Sequence, residues 1–118
     1  MYKTTITEIG ELVSAFEEEL LVILFGPQAT SELRSISVVH EPLETISDAL
    51  QVGGKISFGT QQYEIIEVGT AANETFNELG HVSIYFGEGN NSGLPGAVLV
   101  VPAAFPEFSV GDDIKITS

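Results

Sequence analysis

With 118 residues, 43% of them hydrophobic and 18% charged, the chain has enough material for one core and too little for two, so a single globular domain over residues 1–118 is expected. The 17 acids stand against only Lys3, Arg34, Lys55 and Lys115, a net charge of −13, which leaves no basic surface to neutralise a phosphate backbone and argues against nucleic acid as a partner. The same excess disfavours an anionic membrane surface and suits a partner with a basic contact face, while the absence of cysteine excludes disulfides, thiolate metal sites and a phosphocysteine, so any covalent relay must use another nucleophile.

In chain order, Lys3-Thr4-Thr5-Ile6-Thr7-Glu8-Ile9 is rich in β-branched residues and predicts a first strand closed by Gly10. No apolar secretory segment precedes it, which predicts a soluble, cytoplasmic protein. Leu12, Val13, Phe16 and Leu20 then fall at three- and four-residue spacing around Glu17-Glu18-Glu19, predicting a short amphipathic helix over 11–19. The run from Leu20 to Phe25 predicts a buried strand stopped by Gly26-Pro27, and it is far short of the roughly 18 to 20 apolar residues that span a bilayer.

Residues 28 to 33 read as a connection. In Arg34-Ser35-Ile36-Ser37-Val38-Val39-His40-Glu41-Pro42, Ile36 and Val38 alternate with serines and Pro42 stops the run, predicting a strand whose end carries His40 toward solvent. A loop over 41–48 leads to a hairpin: Ile56 and Phe58 alternate with Lys55 and Ser57, and Gln62 to Val68 return after Gly59-Thr60-Gln61. Residues 70 to 79 hold helical turns with Gly80 as the stop, and Val82, Ile84 and Phe86 then share one face of a strand opened by His81.

Gly87 to Gly96 is a glycine- and asparagine-rich segment that reads as an exposed, mobile loop. Ala97 to Val101 is another buried strand, ended by Pro102, and Ile114 to Thr117 is the last. Val110-Gly111-Asp112-Asp113 echoes Val52-Gly53-Gly54, and both predict a tight turn into a barrel strand. About seven or eight short strands with one or two short helices predict an all-β fold, a closed or nearly closed antiparallel barrel. Closure is the better solution because strands with apolar residues on both faces are hard to leave at an open edge.

His40 is the candidate nucleophile. An imidazole with an ordinary pKa of about 6.5 is mostly neutral near pH 7, so one ring nitrogen has a lone pair that can attack phosphorus, and the phosphoramidate is readily passed on. That relay needs in-line access, a held tautomer and donors for the phosphoryl oxygens. With so few lysines and arginines, backbone N–H groups near Gly53-Gly54 or Gly80 are the candidate donors. The plain alternative is a histidine whose ring is simply satisfied at a strand terminus, and the residues alone leave both readings open. His81 lies on the strand face of Ser83 and Tyr85; if its strand neighbours that of His40, it could donate a hydrogen bond to a phosphoryl group there, and otherwise it is a half-exposed histidine bonding a carbonyl. Two histidines 41 residues apart match no metal-ligand spacing, and no metal or cofactor is expected.

Thr4-Thr5-Ile6-Thr7-Glu8-Ile9-Gly10, Gly54-Lys55-Ile56-Ser57-Phe58-Gly59 with Tyr63, Val68-Gly69, Glu78-Leu79-Gly80-His81-Val82, Phe86 and Pro95-Gly96 follow one another along nearly the whole chain. In that order they resemble the glucitol/sorbitol-specific IIA component of the bacterial phosphoenolpyruvate-dependent sugar phosphotransferase system. The resemblance implies a small β-barrel that accepts phosphate on a histidine from the histidine-containing phosphocarrier protein HPr and hands it to a cysteine of the IIB component. The IIC membrane component then uses it to phosphorylate glucitol during uptake. The family's phosphorylated histidine precedes the first glycine-rich hairpin, where this sequence has only His40; His81 matches the histidine of the family's Leu-Gly-His segment, in an assisting role. The connection from Glu41 to Val52 matches poorly. Against this phosphotransferase reading stand a non-catalytic small-molecule-binding or regulatory barrel with the 87–96 loop over its mouth, and a purely structural oligomerising domain.

Overall fold

A computed structural model of the chain describes residues 2–42, 48–87 and 94–117. Eight strands, β1 (Tyr2–Ile9), β2 (Leu21–Phe25), β3 (Val38–Pro42), β4 (Lys55–Phe58), β5 (Gln61–Val68), β6 (Val82–Phe86), β7 (Ala97–Val101) and β8 (Asp113–Thr117), close into a barrel in the order β1-β3-β2-β6-β7-β5-β4-β8. Closure removes the open edges that the apolar β7, with Ala97 to Val100 all buried, would otherwise expose. The alternation read from sequence holds on β6, where Val82, Ile84 and Phe86 point inward and Ser83 and Tyr85 are only partly covered. Leu24, Ile56, Ile65, Val98, Ile114 and Ile116 fill the rest of the interior with side chains, each worth about 1.5–3 kcal/mol of apolar burial.

The barrel is closed as expected, but it is mixed rather than wholly antiparallel: β2 pairs with β3 and β6 with β7 in parallel. Parallel neighbours need a long crossover, and between β2 and β3 residues 26–37 supply it. This stretch holds the helix α1 (Ser31–Ile36), where a connection followed by a strand from Arg34 was expected. The Thr30 side chain accepts a hydrogen bond from the Leu33 N–H at the start of α1. The Arg34 guanidinium then ties the turn to the Ala29 and Pro27 carbonyls and to Glu8. The alternation of Ile36 with Val38 therefore spans the end of a helix and the start of β3, not one strand.

The remaining helices are a 3-10 helix over Val13–Glu19, where an amphipathic helix was expected, and α2 (Ala72–Leu79), stopped by Gly80 at φ 67. The hairpin β4–β5 turns at Gly59-Thr60. Gly53 and Gly111 both have positive φ, 89 and 96, and lead into β4 and β8, which pair with each other, so the sequence echo marks two turns at one seam. Of the expected loops, residues 43–47 and 88–93 lie outside the described residues. Among the described residues no helix is long and apolar enough to cross a membrane.

Candidate functional site

His40 is placed by β3, which runs between β1 and β2. It stands opposite Ile6 of β1, so both side chains face the barrel interior. The expectation of a ring reaching solvent from a strand end is corrected here: β3 continues through the exposed Glu41 and Pro42, and His40 is 0% exposed. What covers it comes from distant parts of the chain. Phe76 of α2 stacks on the imidazole at 5.6 Å between centroids and 22° between planes. Nε2 lies 2.7 Å from the Gly80 carbonyl oxygen, and Nδ1 lies 2.7 Å from Thr4 Oγ1.

These contacts fix the ring's chemistry. Burial penalises the imidazolium and lowers the His40 pKa, against a smaller raising effect of the Gly80 carbonyl, so the neutral ring dominates. A carbonyl can only accept, so Nε2 carries the proton and donates to Gly80; Nδ1 keeps its lone pair and accepts from the Thr4 hydroxyl. Both nitrogens are thus satisfied, as a fully buried polar ring requires.

Gly80 makes this arrangement possible. Its positive φ ends α2, and a Cβ there would stand 2.8 Å from Gly26 Cα and N and 3.1 Å from His40 Nε2. Gly26, just after β2, donates its N–H to the Leu79 carbonyl at 2.9 Å, so the end of β2 and the end of α2 meet backbone to backbone beside the ring. Thr75 holds the same turn from within α2, its hydroxyl donating to the His81 carbonyl at 2.9 Å.

His81 emerges from this turn half-buried. Its Nδ1–H donates to the Leu24 carbonyl at 3.2 Å and its ring lies 4.6 Å from that of Phe25, which leaves Nε2 without a hydrogen-bond partner among the described residues. The strands of the two histidines are not neighbours, since β2 lies between β3 and β6. The two side chains are nevertheless linked, because the carbonyl that holds His40 belongs to the peptide leading into His81.

The expected phosphoryl-binding donors are already engaged. The N–H groups of Gly53, Gly54 and Gly80 donate to the carbonyls of Ile65, Gln51 and Phe76. The residues that sequence reasoning missed are Thr4, Phe76 and the Gly80 carbonyl. For Thr4 a signal existed: the alternation of β1 puts Tyr2, Thr4 and Ile6 on one inward face, and a hydroxyl at such a position needs a partner. A cavity of about 430 Å³ lined in part by Ile9, Val13, Phe105 and Phe108 includes neither histidine.

Residues 1–115 match the family described as the PTS system glucitol/sorbitol-specific IIA component. Two curated relatives carry the name PTS system glucitol/sorbitol-specific EIIA component. That of Escherichia coli K12 is 32% identical over 119 residues and that of Shigella flexneri 30% over 118, each alignment covering 100% of this chain and 95% of the relative. Among solved structures, a PTS system IIA component from Enterococcus faecalis V583 superposes with a TM-score of 0.77 at 25% identity, covering 96% of this chain and 97% of that one.

Proposed function

This chain belongs to the glucitol/sorbitol-specific IIA components of the phosphotransferase system, and on that premise we propose that His40 accepts a phosphoryl group from the phosphocarrier protein HPr and passes it to the IIB component, with His81 assisting. The observation that carries this reading is the family match over residues 1–115, in which His40 is the histidine ahead of the glycine-rich hairpin; beside it stands a ring whose pKa burial lowers and whose two nitrogens are hydrogen-bonded. A neutral imidazole is the nucleophilic form, and hydrogen bonds at both nitrogens fix the ring's orientation, although the proton on Nε2 must leave before that nitrogen can attack. In each transfer one bond to phosphorus breaks and one forms. The phosphoryl group leaves a nitrogen of the donor histidine for His40, whose Nε2 gives up its proton to solvent as Nδ1 takes one up, and then leaves His40 for the thiolate of the IIB cysteine, with no redox change.

A closed ring must open to react. Nδ1 lies behind Thr4, itself 0% exposed, whereas Nε2 lies behind the Leu79-Gly80-His81 turn, where Leu79 is 39% exposed and His81 half-buried. Displacing that turn is the shorter route, and it makes Nε2 the nitrogen that meets the donor. The same displacement brings His81 beside the incoming group, where an N–H can stabilise charge on the phosphoryl oxygens.

Incubation with phosphoenolpyruvate, the first enzyme of the system and HPr tests the assignment. Wild type should gain one phosphoryl group, labile in acid and stable in base. His40→Ala and the hydrogen-bonding His40→Gln should gain none while circular dichroism shows them folded. A second reading is favoured by the partly exposed His81 ring, whose Nε2 has no hydrogen-bond partner among the described residues: if folded His40 variants keep the label and His81→Ala loses it, His81 is the acceptor and the proposal is overturned.

A further inference from the structure

In the described core three polar side chains are completely buried: Thr4, Ser37 and His40. The Thr4 hydroxyl has the His40 ring as its partner. On a β-strand a valine would fill the same volume with no hydroxyl to satisfy, so the barrel carries this oxygen for the ring it touches.

The two partners of His40 differ in what they permit. The Gly80 carbonyl only accepts, so it holds the proton on Nε2 and keeps that nitrogen's lone pair unavailable. The Thr4 hydroxyl donates or accepts according to how its O–H is turned. With the proton on Nε2 it donates to Nδ1. Once Nε2 bonds phosphorus, the ring's remaining proton sits on Nδ1, and Thr4 Oγ1 at 2.7 Å is placed to accept it.

We infer that Thr4 is the positioning residue that lets His40 change tautomer inside the barrel, holding the ring in one orientation before and after phosphorylation. The inference rests on His40 being the phosphate acceptor. The proton count on the ring is conserved: one N–H, on Nε2 in the resting state and on Nδ1 in the phosphorylated state. When the Leu79-Gly80-His81 turn moves aside, the water it admits takes the proton from Nε2 and returns one to Nδ1 as the Thr4 O–H turns away, so one proton leaves the ring and one enters it. The P–N bond to the donor breaks as the P–N bond to Nε2 forms. Thr4 forms no bond to phosphorus and does not touch the phosphoryl group.

Thr4→Val and Thr4→Ser in the full chain test this, with two readouts. The first is the rate of phosphoryl acceptance from HPr across pH 6 to 9. Thr4→Val should slow it about tenfold, the worth of one buried hydrogen bond, and change its pH profile; Thr4→Ser should stay within about threefold of wild type. The second is long-range ¹H–¹⁵N spectroscopy of the His40 ring. Wild type should move its proton from Nε2 to Nδ1 on phosphorylation, and Thr4→Val should leave the resting Nε2–H state unchanged while the phosphorylated ring loses its single orientation. If Thr4→Val does not fold, Thr4→Ala against Thr4→Ser carries the same comparison without the methyl. Equal rates and pH profiles with and without the hydroxyl would overturn the inference. A label that survives in folded His40→Gln would instead remove its premise, so the two failures are distinct.

Discussion

His40 and His81 are each tied to a backbone carbonyl, Gly80 for one and Leu24 for the other, yet they occupy opposite kinds of environment. His40 is buried against Phe76, which lowers its pKa, and is satisfied at both nitrogens. His81 is half-buried against Phe25 and satisfied at one. The difference teaches that exposure and hydrogen bonding are set separately: both rings lean on a backbone carbonyl, but only His40 is enclosed, and the Gly80 turn lies between the two rings.

The largest expected effect breaks the comparison outright. His40→Gln should abolish phosphoryl acceptance, whereas His81→Asn should leave it measurable and slow transfer on the order of tenfold to a hundredfold. Unchanged transfer kinetics in His81→Asn would reduce that residue to a structural partner of Leu24. Next, Phe76→Ala removes the aromatic cover from the His40 side only. It should cost about 3 kcal/mol in urea unfolding and raise solvent exchange at the His40 ring while leaving the Phe25–His81 contact intact.

Gly80→Ala tests the turn itself. It combines positive φ with a Cβ 2.8 Å from Gly26, so about 2 kcal/mol or more should be lost, against about 1 kcal/mol for Gly53→Ala, where φ is also positive but nothing lies within 4 Å. Equal costs at the two glycines would mean that the packing of Gly80 against Gly26 and His40 contributes nothing. The smallest effect is a pH dependence. Burial holds the folded-state pKa of His40 below the ordinary value of about 6.5, so the unfolded chain takes up this proton first. Its stabilising contribution is therefore whole above about pH 6.5 and declines as pH falls through that value toward the lowered one. Denaturant midpoints between pH 8 and 5 should show this decline in wild type and less of it in His40→Gln; equal slopes would mean that the ring protonates in place.

Local pattern was enough for much of the barrel. The β-branched run of β1, the alternation of β6, the hairpin β4–β5 and the glycine stop after α2 each follow from interactions within a few residues, which is why they could be read directly. The stretch from Arg34 to Val38 shows the limit. A helix of six residues is too short to reveal its period, so its last isoleucine passed for a strand position.

The sequence by itself determined a closed-barrel composition of short apolar strands, the absence of any thiol chemistry, two histidines as the candidate nucleophiles and the family to which the chain belongs. Only the tertiary structure decided that β2–β3 and β6–β7 run parallel and that His40 is enclosed between Thr4, Phe76 and Gly80. The physical reason is range. Strand and turn propensities act between near neighbours, whereas the enclosure and hydrogen bonding of His40 depend on partners 36 and 40 residues away, brought to it by closure of the barrel.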